Sequence, residues 1–145
     1  MGKLKKKPKN IRTRCCAHIK FGSLSILIDT SPDIKSQFLK NKINSLDAII
    51  YTHEHADQTS GIFEMRPFFW KNKKKIPVYG SKRTINALIS KYTFCFKPRH
   101  GYKPIMATNI IKNKFEVKVN NKKFKITAFD VIHGMIKANG FLFNK

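Results

Sequence analysis

The chain has 145 residues, a length typical of one domain and sufficient to bury a hydrophobic core. Hydrophobic residues make up 41% of it and twelve residues are Phe, a composition that excludes an intrinsically disordered chain. The formal net charge of +22 favours anionic partners such as phosphates or nucleic acid. Lys supplies most of this charge beside Asn and Ile, and we interpret it as coding bias of an AT-rich genome rather than as a nucleic-acid-binding face.

The cysteines and the hydropathy pattern indicate the cellular compartment of the protein. Cys15, Cys16 and Cys95 form neither a CxxC pair nor an even framework, which is typical of a reducing compartment and predicts a cytoplasmic protein. No apolar run approaches the ~20 residues of a membrane span, so we expect no membrane partner. We predict a disordered basic arm at 1–10 and one domain at 11–145.

The pattern before the first histidine pair predicts a hairpin, a helix and a buried strand. These elements are predicted at 13–21, 24–29, 33–41 and 46–52. A turn at Gly22-Ser23 joins the first two strands, and Ile34, Phe38 and Leu39 form the buried side of the helix. The short, apolar, β-branched run of the last strand is typical of a central strand in an α/β layer.

Strands and helices continue to alternate in the second half of the chain. A short helix, a strand, a second helix and two further strands are predicted at 61–70, 76–79, 82–91, 115–119 and 123–129. Ser81 is the predicted N-cap of the second helix. Asn120-Asn121 is the predicted turn between the last two strands, and 96–113 is predicted to be irregular. The whole pattern predicts an α/β fold.

The predicted central strand runs directly into HEHADQTSG, residues 53–61. His53 and His55 can aim their rings at one point, and Asp57 with Gln58 then turns toward a second point. His133 follows another predicted strand and can complete the first set of ligands. Three protein ligands plus water is the pattern of a catalytic zinc site, and strand ends are where α/β sheets place ligands. The sequence therefore predicts a metal site.

The aspartates in and near this motif also have a purely structural interpretation. Asp57 or Thr59 could cap the helix that follows the loop, although the HxHxD pattern after an apolar strand favours the metal site. Asp29 could cap the helix that follows it, or it could orient a metal-bound histidine. His18, inside a predicted strand, and His100, in a predicted loop, are not predicted ligands.

These segments resemble the metallo-β-lactamase-fold hydrolases, and most of all the branch that contains the phosphoribosyl cyclic-phosphate phosphodiesterases. The similar segments occur in the family's order: RTRCCA (12–17), ILIDTSPD (26–33), IIYTHEHADQTSGIFEMRPF (49–68), IPVYGSKRT (76–84) and VIHGMIKANGF (131–141). The resemblance implies a partial αββα sandwich, with mixed sheets and outer helices. By the same resemblance the chain would be the N-terminal portion of the domain and would lack the C-terminal part, with the family's opening strand also missing.

The resemblance also implies roles for the site residues. His53, His55 and His133 would hold one zinc, with manganese as the alternative ion. Asp57 would serve a second metal and position the nucleophilic water, and Asp29 would support a histidine ligand. The family has His where Gln58 stands, and amides are poorer ligands of transition metals than imidazoles. We therefore expect at most one tightly bound ion and an exposed apolar sheet surface.

Three functions remain open at this point. The first is a metal-dependent phosphodiesterase that acts on a small cyclic phosphate ester. The second is an inactive or split remnant of such an enzyme, completed by a C-terminal fragment or by a second copy in a homodimer. The third is an RNA-processing nuclease of the same fold, which the charge of +22 suits but the motifs favour less. The sequence segments that resemble the small-substrate branch favour the first.

Overall fold

A computed structural model describes residues 12–119 and 122–143, which form two β-sheets and a set of short helices. The strands are β1 (Ala17–Phe21), β2 (Leu24–Ile28), β3 (Ala48–Ile50), β4 (Ile76–Gly80), β5 (Met106–Ile110), β6 (Lys114–Val119), β7 (Lys122–His133) and β8 (Ile136–Phe143). The helices are α1 (Ile34–Lys40), α2 (Ala56–Thr59), α3 (Arg66–Asn72), α4 (Lys82–Lys91) and α5 (Thr93–Phe96), with a 3₁₀ helix at Ser60–Met65. The predicted arm at 1–10 lies outside the described residues.

The first sheet has five strands in the order β1-β2-β3-β4-β5. β1 and β2 form an antiparallel hairpin, whereas β2, β3, β4 and β5 run parallel to one another. β3 is central and all three of its residues are buried, as a strand covered on both faces requires. The predicted hairpin and the predicted central strand are confirmed, and the carboxyl ends of β2, β3 and β4 lie at one edge of the sheet.

The second sheet is antiparallel, with the order β6-β7-β8, and it packs on one face of the first sheet. Alternate side chains of both sheets form the buried cluster between them: Leu24, Ile26, Ala48, Ile50, Val117 and Ile126. The intervening residues Leu27 and Ile49 point to the other face of the first sheet, where they pack with the helices. The described residues thus form three layers: helices, the five-stranded sheet and the three-stranded sheet.

Three details of the predicted elements are wrong. β1 begins at Ala17 rather than at residue 13, because Arg14 instead binds Asp33 at the start of α1 through its backbone N–H and its guanidinium. Leu39 is 74% exposed, since the seven-residue α1 buries only one narrow face that carries Ile34 and Phe38. β5 lies within the segment predicted to be irregular, and its mostly exposed pattern gives little periodic signal.

Two predicted features of the second half are confirmed. The Ser81 hydroxyl oxygen accepts a hydrogen bond from the backbone N–H of Thr84 at 3.2 Å and caps α4. β6 and β7 pair as an antiparallel hairpin, although the turn at Asn120-Asn121 lies outside the described residues. β7 is longer than predicted and extends to His133. None of the helices in the described part of the chain is long and apolar enough to cross a membrane.

Candidate metal centre

The first two histidines lie in the extended segment between β3 and α2. Backbone hydrogen bonds hold the end of β3 from both sides: Asp29 N–H donates to the Ile50 carbonyl, and Tyr51 N–H donates to the Tyr79 carbonyl. His55 has extended backbone angles and immediately precedes the first helical residue. The fixed strand end therefore places His53 and His55 at the carboxyl edge of the parallel strands, where the sequence predicted them.

Close packing against the segment after β2 fixes the far end of this loop. The Thr30 N–H donates to the Gln58 carbonyl at 2.7 Å, and the Gly61 N–H donates to the Thr30 carbonyl at 2.9 Å. A Cβ atom at Gly61 would collide with the Ser31 carbonyl oxygen and with the Ile34 side chain. The glycine that ends the motif is thus needed for close backbone approach, which lets the loop seat firmly on the sheet.

The third histidine comes from the second sheet. His133 is the last residue of β7, and a tight turn with Gly134 at φ 59° leads into β8. The Asn139 N–H of β8 donates to the Thr52 carbonyl at 2.9 Å, a bond that joins this hairpin to the end of the β3 strand. The contact between the two sheets therefore brings His133 beside His53, although 79 residues separate the two in sequence.

The three imidazoles converge. One ring nitrogen from each of His53, His55 and His133 lies within 4.8 Å of the other two. The ring centroids are 4.7, 4.8 and 5.4 Å apart. A tetrahedral zinc ion with bonds of about 2.0–2.1 Å separates its ligand atoms by about 3.4 Å, so modest side-chain rotation would close the set. Three neutral nitrogen donors fit zinc, and among the described residues this is the one such cluster.

Asp29 reaches the first histidine through Thr52. The Thr52 backbone N–H and hydroxyl each donate to the Asp29 carboxylate at 2.8 Å. The same hydroxyl oxygen lies 2.8 Å from Nδ1 of His53. A hydroxyl has one hydrogen, so the Nδ1–H of His53 is the donor in that contact and the Nε2 lone pair remains free for a ligand bond. Asp29 therefore orients the imidazole from a distance, and Asp33, not Asp29, is the N-cap residue of α1.

The electrostatic surroundings keep the first histidine neutral. Burial lowers the pKa of His53, and the nearby His55 and His133 lower it further. Burial raises the pKa of Asp29 to about 6, against the opposing hydrogen bonds from Thr52. A metal ligand must be an unprotonated imidazole, so the lowered pKa of His53 favours the binding state near neutral pH.

Asp57 and Gln58 stand apart from the cluster. Asp57 is exposed, and its carboxylate accepts a hydrogen bond of 3.1 Å from the Gln58 side-chain amide. The negative charge of Asp57 acts on His53, whose pKa it raises, so the carboxylate lies within electrostatic reach of the cluster. Neither Asp57 nor Thr59 makes a side-chain capping bond, so neither caps the helix that follows this loop. The second predicted metal position has Asp57 and an amide and no further clustered ligand among the described residues.

Sequence reasoning missed Thr52 and Glu54. Thr52 lies beside Asp29 because Ile28 pairs with Ile50 in the parallel register, and this pairing could have been used to find it. Glu54, between the two histidines, turns away from them and forms an ion pair of 2.7 Å with Arg83 on α4. His18 and His100 lie outside the cluster: Nε2 of His18 bonds the Ser25 hydroxyl, and His100 is exposed.

Comparison with known proteins places the chain in a family. The beta-lactamase superfamily domain matches residues 25–144. The chain belongs to this family and has the metallo-β-lactamase fold of a hydrolase family, which confirms the predicted α/β fold class.

Three individual proteins show how far the similarity extends. A crystal structure of a new diphosphatase from the PhnP family is 26% identical with a TM-score of 0.81, and the match covers 95% of this chain and 51% of that one. Zinc-bound PqqB from Methylobacterium extorquens is 15% identical with a TM-score of 0.68, over 92% of this chain and 46% of that one. An octanoyltransferase of Porphyromonas gingivalis is 26% identical over 116 residues, which are 80% of this chain and 23% of that protein. The chain thus spans about half the length of its structural relatives.

Proposed function

We propose that the chain contributes the metal site of a hydrolase that cleaves phosphate esters, with a small cyclic phosphodiester as the favoured substrate. The convergence of His53, His55 and His133 carries this proposal, because three imidazoles without a competing acid form an open transition-metal site. The likeness to the diphosphatase, at 26% identity, supports phosphate chemistry. The likeness to the octanoyltransferase does not support an octanoyl-transfer activity, since the matched part is less than a quarter of that protein.

Each site residue has a defined task in this proposal. His53, His55 and His133 would hold the ion, zinc or, as the alternative, manganese. A bound divalent ion supplies Lewis acidity and makes water nucleophilic near neutral pH. Asp57, whose carboxylate is exposed two residues after His55, would accept the proton of the attacking water. Asp29 and Thr52 fix the orientation of His53 throughout.

Turnover by this chain should be slow. A two-metal hydrolase stabilises both the attacking and the leaving oxygen, whereas the described residues offer one cluster of strong ligands. Gln58 occupies a position where an imidazole would help to hold a second ion, and its amide is instead bonded to Asp57. The inactive-remnant interpretation rests on the same observation and is the main alternative.

Hydrolysis of bis(p-nitrophenyl) phosphate tests the proposal. We expect slow release of p-nitrophenol that requires added zinc or manganese and is lost on addition of EDTA and in His55→Asn. His18→Asn is the matched control, because His18 is bonded to Ser25 and lies outside the cluster. Complete absence of metal-dependent turnover would favour the inactive remnant. Parallel assays with 2′,3′-cyclic AMP and a structured RNA separate the small-substrate enzyme from the RNA nuclease.

We further propose that polypeptide equivalent to the other half of the structural relatives covers the outer face of the second sheet. Phe129, Val131 and Leu142 lie on that one face of the β7–β8 hairpin and are 52%, 40% and 56% exposed. Such an apolar surface is typical of an interface. Size-exclusion chromatography of the purified chain distinguishes the alternative, a homodimer, from a monomer that awaits a separate or longer segment.

A further inference from the structure

A cavity of ≈ 440 Å³ lies on the helical side of the first sheet, and the metal centre does not use it. Its walls come from the 3₁₀ helix, the start of α3, α5 and the connection that leads to β5. Cavities that hold small ligands measure about 300–1,000 Å³ and combine apolar walls with a few polar groups. The volume and the predominantly apolar lining therefore suit a small organic ligand.

Aromatic rings form much of the cavity wall. Phe63 and Phe94 stack with centroids 5.1 Å apart and an angle of 8° between the ring planes. Phe63 is 46% exposed and Tyr102 is 59% exposed, although both line a concave surface. Exposed aromatic faces in a cavity are costly in water and offer a planar ligand large contact areas.

Two arginines and His100 supply the polar part of the same wall. The Arg66 guanidinium lies 5.4 Å from the centre of the Tyr102 ring and 6.0 Å from that of Trp70. Arg99 and Tyr102 exchange backbone hydrogen bonds across a tight turn, which fixes both residues at the rim. The ion pairs found in the described part of the chain use other basic residues, and no acidic residue lines the cavity. A positively charged rim without a carboxylate favours an anion.

From these observations we infer that the cavity binds a planar aromatic anion of the nucleoside monophosphate type. The aromatic ring system stacks on the wall formed by Phe63, Phe94 and Tyr102, and the phosphate is held by Arg66 and Arg99. Guanidinium groups bind phosphate through paired, charge-assisted hydrogen bonds. The inference goes beyond the proposed hydrolase site, because none of these five residues belongs to the histidine cluster.

The cavity is nevertheless connected to the metal loop through direct contacts. Phe63 packs edge-on against Tyr92 at 5.4 Å, and the Tyr92 hydroxyl lies 3.0 Å from the Thr59 hydroxyl. The Thr59 hydroxyl donates to the backbone carbonyl of His55 at 3.0 Å. A ligand in the cavity would therefore be linked to the loop that carries the metal ligands indirectly, through Phe63, Tyr92 and Thr59.

Titration with AMP in the presence of EDTA tests the inference. Trp70 is the single tryptophan of the chain and its ring centre lies 6.0 Å from the Arg66 guanidinium, so its fluorescence should change in a saturable way as AMP binds. Adenosine lacks the charge and inorganic phosphate lacks the ring, so each should bind about tenfold more weakly than AMP. Equal binding of phosphate and AMP would overturn the inference, as would the absence of saturable AMP binding.

Calorimetric titrations of three variants locate the site. Arg99→Gln should weaken AMP binding about tenfold through loss of one charge-assisted interaction. Lys35→Gln removes the same charge from an exposed position on α1 and should bind AMP like the unaltered chain. Equal weakening of AMP binding in Arg99→Gln and Lys35→Gln would show nonspecific attraction of AMP to the net positive charge. Loss of AMP binding in His55→Asn would assign it to the metal centre, and either result would overturn the inference.

Discussion

His53 and His55 of the histidine cluster lie just before the Asp57–Gln58 pair in sequence, but the fold supports the cluster and the pair differently. Within the cluster, His53 is buried and held through Thr52 by the buried carboxylate of Asp29, whereas His55 and His133 are exposed. Asp57 is exposed, and its carboxylate accepts a hydrogen bond from the neighbouring Gln58 amide. A ligand fixed by buried partners loses little conformational entropy when an ion binds, whereas an exposed one must still be ordered. This difference supports the proposal of one stronger metal position, anchored at His53, and one weaker position at Asp57.

Removal of a ligand from the supported cluster should have the largest effect. His133→Asn takes away one of three nitrogen donors, so we expect zinc affinity to fall by more than about 100-fold. This is a larger loss of affinity than mutation of a residue that only orients a histidine ligand would cause. Competition with a chromophoric chelator measures the affinity. His100→Asn is the control, because His100 is exposed and Asn tolerates its left-handed backbone at φ 46°. Equal zinc affinities in His133→Asn and His100→Asn would show that the histidine cluster does not bind the ion.

Loss of the support beneath His53 should have the next largest effect. Asp29→Asn replaces a carboxylate that accepts two hydrogen bonds from Thr52, and Asn again tolerates the backbone at φ 63°. We expect zinc affinity to fall about 10–100-fold, the range typical of partners that orient a histidine ligand. Asp130→Asn, which breaks only an exposed ion pair with Lys137, should leave the affinity unchanged. An unchanged affinity in Asp29→Asn would show that Thr52 alone orients the ring.

The same carboxylate should make the stability of the metal-free chain depend on pH. The pKa of Asp29 is about 6 in the folded chain, and an unfolded Asp has a pKa of about 3.9. The folded state therefore binds more protons between these values, and stability falls as pH rises from about 4 to 6. The difference between the two pKa values limits this loss in the free energy of unfolding to about 3 kcal/mol.

Urea unfolding with EDTA, at pH 4 and at pH 7.5, measures this effect. Asp29→Asn should be more stable than the unaltered chain at pH 7.5, and the difference should shrink toward zero at pH 4. The comparison of the two chains cancels the titration of the histidines. A variant that is less stable at both pH values would show that the hydrogen bonds of Asp29, rather than its buried charge, dominate its contribution.

A change in the weakly supported pair should have the smallest effect. Gln58→His supplies an imidazole next to Asp57, but it adds no buried partner to fix either side chain. We expect the turnover of bis(p-nitrophenyl) phosphate to change by no more than about threefold, because two ligands do not build a second metal clamp. A large gain in metal-dependent turnover would show that Gln58 alone limits the site, and the structural distinction between the two regions would then be wrong.

Much of the fold could be predicted from local patterns. The apolar run before His53 identified β3, and Gly22-Ser23 and Ser81 marked a hairpin and a helix start through their turn and capping chemistry. β5 was missed because it is a short, mostly exposed strand whose pairing with β4 depends on tertiary contacts. Leu39 was misplaced because a two-turn helix buries too few residues for its periodicity to be read reliably.

The convergence of the three histidines was predictable from the sequence, but not all of the residues that support them were. His53, His55 and Asp57 form a contiguous motif, and His133 follows a strand with a similar ending. The part played by Thr52 depends on the register between β2 and β3, and the opposite orientation of Glu54 depends on its ion pair with Arg83. Both depend on tertiary contacts, which the spacing of residues in the sequence does not predict. The aromatic cavity likewise combines residues from segments that show no shared motif.

The number of tightly bound metal ions tests the central claim most directly. The purified chain should be saturated with zinc, dialysed against metal-free buffer and analysed by inductively coupled plasma mass spectrometry. One strong cluster at His53, His55 and His133 predicts one equivalent of zinc per chain, and less than half an equivalent in His133→Asn. Two retained equivalents, or one equivalent that persists in His133→Asn, would contradict the account.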